Sequence, residues 1–489
     1  MYIAMVTAEC APVAKAGGLG DFVQGLSHDL LARGERVELF LPCYDLLRTE
    51  SIQDLHEVAS DLQVPFHGER LRCRVLAGVA DGIPCCLVDP QSEHAFFRRG
   101  RIYGEDDDAV RFAVFCSAVL EFIQRSGRRP DILHCQDWQT ALVPILLEQV
   151  YAEHGLAATR VCYTLHNVGY QGQVPPSILA QAGLDPASLM VPELLLDPAG
   201  GGTANLMKGG ILYADFVNTV SPRYAWEIQN TQQGMGLQSL LQTQGHKFGG
   251  ILNGIDGRVW SPETDPLIPV NFGPASLPLK AANRKVLRSR LGLAEVDKPI
   301  FGIVSRLDRQ KGVDLILHGI RYALDAGAQV VLLGSALEPE IDARFRRLRD
   351  ETAEGHDCRI ELLYDEALAH LIFAGCDLTL VPSLYEPCGL TQLIAMKYGV
   401  VPIVRRVGGL ADTVFDANYS DKPFKVRNGY LFDDPTPSAL ESALQRALAL
   451  WRDYPEYFRQ LRVNGMRADY SWRESGARYL ELYQGLCAS

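Results

Sequence analysis

Short apolar runs, each ended by Gly, Pro or a charged residue and followed by a stretch of helical period, recur along this chain, and that alternation most restricts what it can fold into. Residues 2–7 precede a helix whose Phe22, Val23, Leu26 and Leu30 keep helical spacing. Residues 36–41 stop at Pro42, and 131–138, 161–167 and 215–222 continue the series. Between residues 257 and 280, Pro262, Pro266, Pro269, Pro274 and Pro278 break any period. The series then restarts at 299–304, 329–333, 359–363, 376–381 and 400–404. Repeated strand–helix units predict a mostly parallel sheet covered by helices. A chain of 489 residues exceeds what one core accommodates. The expected fold class is therefore α/β, with two doubly wound Rossmann-like domains facing across a deep cleft. The boundaries read as 1–256, a linker at 257–280, a second domain at 281–468, and a last helix at 469–489. Between about 43 and 106 only residues 83–88 look β-like, and the rest reads as loose.

In open α/β sheets chemistry collects where strands end and helix N-termini offer unpaired N–H groups. The first strand runs into Lys15-Ala-Gly-Gly-Leu-Gly-Asp21, where Gly17 and Gly18 let the backbone approach an anion and Lys15 adds a charge. Its spacing fits neither the Walker pattern nor the dinucleotide fingerprint. Asp137 and His166 end later strands of this half. In the second half Arg306 and Lys311 stand five residues apart at a strand-to-helix turn, able to face one anion. The stretch Pro382-Ser-Leu-Tyr-Glu-Pro-Cys-Gly-Leu-Thr-Gln392 places one carboxylate, Glu386, after an apolar strand and before an apolar helix. Glu386 is read either as a cap for that helix or as an acceptor for two vicinal hydroxyls, as on a ribose. Cations with glycine loops suit a diphosphate held as it leaves.

A formal charge of −12 argues against a nucleic-acid or anionic-membrane partner, since both require a broad basic field. No apolar run reaches membrane-spanning length, and no basic start with a long apolar core marks a signal peptide. The twelve cysteines fall in apolar segments without repeated C-x-x-C pairs, which reads as reduced core thiols in a cytoplasmic protein rather than a zinc site. No carboxylate pair, Ser-His-Asp order or metal-ligand cluster stands out, so no metal is expected.

In these motifs the chain resembles the bacterial glycogen synthases and plant starch synthases, retaining glucosyltransferases with two Rossmann-like domains. The resemblance is carried by the Lys15–Asp21 and Glu386–Gln392 stretches already quoted, by His134-Cys-Gln-Asp-Trp138, Thr164-Leu-His-Asn167, Tyr170-Gln-Gly172 and Thr219-Val-Ser-Pro222. It continues in Gly250-Ile-Leu-Asn-Gly-Ile-Asp256, Ser305-Arg306-Leu-Asp-Arg-Gln-Lys-Gly312, Gly408-Gly-Leu-Ala-Asp-Thr413 and Asp469-Tyr-Ser-Trp472. It implies transfer of glucose from ADP-glucose to the non-reducing end of an α-1,4-glucan, such as glycogen or a maltooligosaccharide, with ADP-glucose as co-substrate and no cofactor. Lys15 and the amides of Gly17 and Gly18 are expected at the donor diphosphate with Arg306 and Lys311. His166 is expected near the glucose 6-hydroxyl, Asp137 near the glucose and acceptor, and Glu386 at the ribose. The amides of Cys388, Gly389, Leu390 and Thr391 are expected to face the sugar and distal phosphate. Asp21 and Asn253, within matched motifs, join the expected substrate-binding positions. The resemblance also implies that the last helix returns to the first domain.

Two positions depart from the family pattern. Ala16 replaces a usual Ser or Thr, and Leu384 replaces an arginine, since the family reads Pro-Ser-Arg-Phe-Glu. The Ala199-Gly-Gly-Gly-Thr203 segment reads as an insertion, a mobile loop near the acceptor path. Two other readings keep this fold: a transferase using UDP-glucose or a small acceptor, and a non-catalytic glucan-binding paralogue, for which Leu384 is the motive.

Overall fold

A computed structural model describes residues 1–197 and 199–488. The chain forms two compact units, Met1–Gly254 together with the stretch from Trp472 onward, and Ile255–Ser471.

In the first unit the strands are β1 (Tyr2–Val6), β2 (Arg36–Pro42), β3 (Ile52–Phe66), β4 (Glu69–Ala80), β5 (Ile83–Pro90), β6 (Ile132–Gln136) and β7 (Arg160–Leu165). The short pair β8 (Gln173–Val174) and β9 (Ala204–Asn205) stands apart, and β10 (Phe216–Thr219) and β11 (Phe248–Gly250) complete the set. Nine of them form one sheet in the order β11-β10-β7-β6-β1-β2-β5-β4-β3. It is parallel from β11 to β5, with β1 between β2 and β6. Every residue of β1 and β6 is buried, as a parallel strand covered on both faces requires. The helix Gly18–Ala32 turns Phe22, Val23, Leu26 and Leu30 inward.

Residues 52–80 differ from the loose region expected. They form a long antiparallel hairpin, β3 with β4, whose second strand pairs antiparallel with β5. The alternation that marks a strand is hidden there because β3 is an edge strand, exposed over most of its length, apolar Leu55 and Val58 included, and broken by register shifts. In the Ala199–Thr203 segment Gly200, Gly201 and Gly202 all take positive φ, and the Asp197 N–H donates to the Thr203 carbonyl at 2.9 Å.

The final helix, Trp472–Ala488, belongs to this first unit and supplies part of its core. Tyr479 and Tyr483 are fully buried. The Tyr483 hydroxyl lies 2.7 Å from His134 Nδ1, and Asn218 Nδ2 donates to the Tyr479 hydroxyl. Trp472 seats over Gly25, where an added Cβ would stand 1.8 Å from the indole Nε1. Gly25→Ala therefore has to expel the ring. We expect a loss of about 1–3 kcal/mol from overpacking, read as a lower first thermal transition. A variant that melts with its parent would refute this account of the helix seat.

The second unit carries β12 (Ile300–Val304), β13 (Gln329–Leu333), β14 (Cys358–Glu361), β15 (Leu378–Val381), β16 (Val401–Arg405) and β17 (Tyr430–Phe432) in one all-parallel sheet, ordered β14-β13-β12-β15-β16-β17. The proline-rich stretch expected as a linker folds into this unit. Ile268, Phe272 and Leu277 are buried in its core, and His370 Nδ1 and the Tyr398 hydroxyl meet Asp265 Oδ2 at 2.7 and 2.6 Å. Proline removes helical period without preventing burial, so periodicity alone misread the segment.

Candidate functional site

In the first unit the expected residues gather at the C-terminal ends of adjacent parallel strands. Lys15, Gly17, Gly18 and Asp21 follow β1, Asp137 follows β6, and His166 follows β7. Lys15 Nζ pairs with Asp21 Oδ1 at 2.7 Å. The glycine loop has an organiser that the sequence reading passed over. Glu9, buried just after β1, accepts the N–H groups of Ala16 and Gly17 on Oε2 at 2.6 and 2.7 Å, and the Tyr103 hydroxyl on Oε1 at 2.7 Å. The Gly17 amide, expected at a phosphate, donates to this carboxylate in the structure. Glu9 is an acidic residue at a strand end, the one signal by which it was findable. Glu9→Gln replaces a charge-assisted acceptor with a neutral one. Such a variant is expected to raise the donor KM by roughly tenfold, a cost of about 1.4 kcal/mol, while kcat moves less. An unchanged KM would show that the loop holds its shape without Glu9.

Asp137 adopts φ 54° and ψ −172°, a strained conformation for a residue with a Cβ. Its Oδ1 accepts the N–H of His166 at 2.7 Å and of Asn167 at 3.3 Å. Burial pushes its carboxyl up to about 7, the two amide hydrogen bonds opposing. His166 Nε2 lies 2.9 Å from Gln136 Oε1, an acceptor, so this nitrogen carries the proton. Burial holds the imidazole near 3, hence neutral, leaving Nδ1 an acceptor. Phe22 packs edge-on to His166 at 4.6 Å and to Trp472 at 5.5 Å, so the ring that orients the histidine is itself wedged by the last helix. Asn253, after β11, is buried, and its Oδ1 has no hydrogen-bond partner among the described residues.

In the second unit β12 and β15 are neighbours; Arg306 and Lys311 follow the first and Glu386 the second, and Lys311 and Glu386 meet. Lys311 Nζ reaches Glu386 Oε2 at 2.6 Å, and the Ser383 hydroxyl donates to the same oxygen at 2.8 Å. Oε1 has no donor among the described residues. The carboxylate is thus held by one edge and open at the other. It does not cap the following helix, Thr391–Lys397, whose N-cap position is Leu390 without a side-chain hydrogen bond. Arg306 is largely exposed and only loosely near Asp308, at 3.6 Å.

The turn is locked from two sides. The Leu384 N–H donates to the Gln310 carbonyl at 2.8 Å. Gly408, at φ 42°, lies so close that an added Cβ would fall 1.9 Å from the Glu386 carbonyl oxygen, and one on Gly409 would fall 2.1 Å from that of Cys388. These glycines are required by close backbone approach. Gly389 takes φ 74° before the helix that begins at Thr391. Leu384 is exposed, yet its carbonyl accepts from Arg405 Nη1 at 2.6 Å, so a guanidinium lies beside the turn although position 384 offers none. Among the described residues no group of three or more His, Cys, Asp or Glu is placed to hold a metal ion, and no helix is long and apolar enough to cross a membrane.

Comparison with known proteins adds family to geometry. Residues 2–243 match the model of the starch synthase catalytic domain, and residues 288–462 match that of glycosyl transferases group 1. Glycogen synthase 1 of Nitrosococcus oceani is 53% identical over 99% of each chain, and glycogen synthase 2 of Methylococcus capsulatus is 48% identical over 98% of each. Among solved structures, the catalytic domain of starch synthase IV from Arabidopsis thaliana, bound to ADP and acarbose, superposes with a TM-score of 0.97 at 41% identity, covering 100% of this chain and 99% of that one. A sucrose-phosphate synthase from Thermosynechococcus elongatus shares the fold, with a TM-score of 0.61 at 21% identity over 100% of this chain and 99% of that one.

Proposed function

We propose, from the premise that this chain belongs to the glycogen and starch synthase family of glycosyltransferases, that it lengthens an α-1,4-glucan by taking glucose from ADP-glucose with retention of configuration. The observation that carries the reading is the Lys311–Ser383–Glu386 arrangement: a carboxylate fixed through one oxygen and open through the other, at the ends of two adjacent parallel strands. The open oxygen suits the hydroxyls of a nucleotide ribose.

Lys311 and Arg306 would hold the donor diphosphate and offset the charge that develops on it as the glycosidic bond breaks. The glycine turn at 388–391 would bring backbone N–H groups to the sugar and distal phosphate. From the first unit, Lys15 and Gly18 are assigned to the diphosphate, with Gly17 shaping the loop through Glu9. Neutral His166 offers Nδ1 as acceptor to a glucose hydroxyl, Asp137 stands beside the reacting sugar, and Asp21 and Asn253 serve substrate binding. No metal enters this assignment, since guanidinium and ammonium groups supply the positive charge. Twelve cysteines, ten of them with buried side chains in apolar surroundings, support a reducing cytoplasmic setting.

The test offers purified protein ADP-glucose or UDP-glucose with glycogen, with maltose, or with no acceptor, and follows glucose transfer. ADP-glucose with glycogen is expected to give the fastest transfer. Preference for UDP-glucose or for maltose would move the assignment to the other donor or to a small acceptor. Glucan binding without transfer from either donor would end the enzymatic reading.

A further inference from the structure

A second basic site lies at the other end of the strands that carry Glu386. The N-terminal edge of the second sheet opens on a cavity of about 610 Å³, within the range of small-molecule sites. One wall is the start of the sheet: Asp297 and Pro299 precede β12, and Asp377 precedes β15. The other wall is helical, with Arg284 from the helix Lys280–Leu291, Trp451 and Arg452 from Pro437–Asp453, and Arg459 and Arg462 from Pro455–Arg467.

Charge in this cavity is unbalanced. Four arginines face two aspartates, in a chain whose formal charge is −12. Arg284 is paired with Asp377, and Arg462 stands 3.8 Å from the same oxygen, so two guanidiniums share one fully buried carboxylate. That carboxylate also accepts the Ile300 N–H at 3.1 Å. The Arg284 Nε is buried without a partner among the described residues. Arg459 has no ion-pair partner among the described residues, and Arg452 pairs only with its exposed neighbour Asp453. Burial holds the Arg462 guanidinium below the ordinary arginine value, and Arg284 and Arg459 push it the same way against Asp377. Buried like charges with too few counter-charges are costly unless an anion joins them.

We propose that this cavity binds a phosphate-bearing small metabolite, its phosphate oxygens taken by Arg459, Arg462 and Arg284 and its carbon skeleton laid along Trp451 and Phe458. Planar guanidiniums pair with phosphate in bidentate fashion, and the aromatic wall gives a non-phosphate part somewhere to lie. The site belongs to the second unit alone and does not rest on the donor assignment. It stands at the opposite ends of β12 and β15 from Arg306, Lys311 and Glu386.

The test is calorimetric titration of the full chain with fructose 1,6-bisphosphate and with inorganic phosphate. Saturable one-site binding of the bisphosphate is expected. Arg459→Glu, an exposed position where reversal leaves the fold intact by thermal melting, should weaken it by about tenfold or more. Trp451→Ala should weaken the bisphosphate and leave inorganic phosphate unchanged. Lys311→Ala, at the donor end, should leave both within about twofold. Absence of saturable binding would overturn the proposal, as would binding lost in Lys311→Ala and kept in Arg459→Glu.

Discussion

Glu386→Gln should fold like its parent and transfer glucose about 10²- to 10³-fold more slowly, the loss typical when one charged or hydrogen-bonding group is withdrawn from a transition state. The carboxylate holds Lys311 and Ser383 through one oxygen, so under the proposed assignment its removal both deprives the donor of an acceptor and releases the cation assigned to its phosphates. Glutamine keeps the shape and one accepting oxygen, which limits the destabilisation that an unpaired, mostly buried lysine would otherwise cause. Glu386→Ala is expected to be equally slow and measurably less stable. Activity within about fivefold of the parent in the glutamine variant would remove Glu386 from the mechanism.

Asp137→Asn should be the second severe lesion, lowering kcat/KM by about 10²-fold or more, since a strained backbone holds this group beside the proposed sugar site. It also carries a pH signature. Burial raises the folded carboxyl to about 7 from an ordinary value of 3.8, so folding favours the protonated form. The stability this group contributes is full below about 4 and is lost as pH rises through about 7. His134 and His166, held near 3 by burial, act oppositely, losing stability as pH falls below the ordinary histidine value of 6.5. The difference in melting temperature between parent and Asp137→Asn isolates the aspartate: between pH 6 and 8 the parent should lose ground to the variant. A constant gap across that range would mean that Asp137 titrates as an ordinary carboxyl.

The sequence displayed what depends on local pattern. Period and apolar runs located the helix Gly18–Ala32 and the strands β2, β12 and β13, because a doubly covered parallel sheet writes its burial directly into the chain. Glu386, Lys311, Asp137 and His166 were found as strand-end residues, and the structure brings them together within each unit. Long-range contacts left no such mark. The Glu9 carboxylate serves residues seven, eight and ninety-four positions away, and Ser383 becomes significant only once the turn brings its hydroxyl onto Glu386. The exposed edge strand β3 and the proline-rich stretch 257–280, with its buried Ile268, Phe272 and Leu277, misled for the same reason: neither exposure at an edge nor burial without period follows from spacing.

The chain leaves the first unit at Gly254 and re-enters it at Trp472, so the second unit is an insertion within the first. The last helix brings Tyr479 and Tyr483 to a core that residues near the N-terminus began. On a ribosome this inverts the usual order, in which the N-terminal domain finishes first. Here the unit encoded later closes earlier. The first-made sheet then waits on the order of ten seconds or more, at ordinary elongation rates, for the helix that completes it. A chain truncated before Trp472 therefore carries the whole of the second unit and a first unit whose core lacks Trp472, Tyr479 and Tyr483.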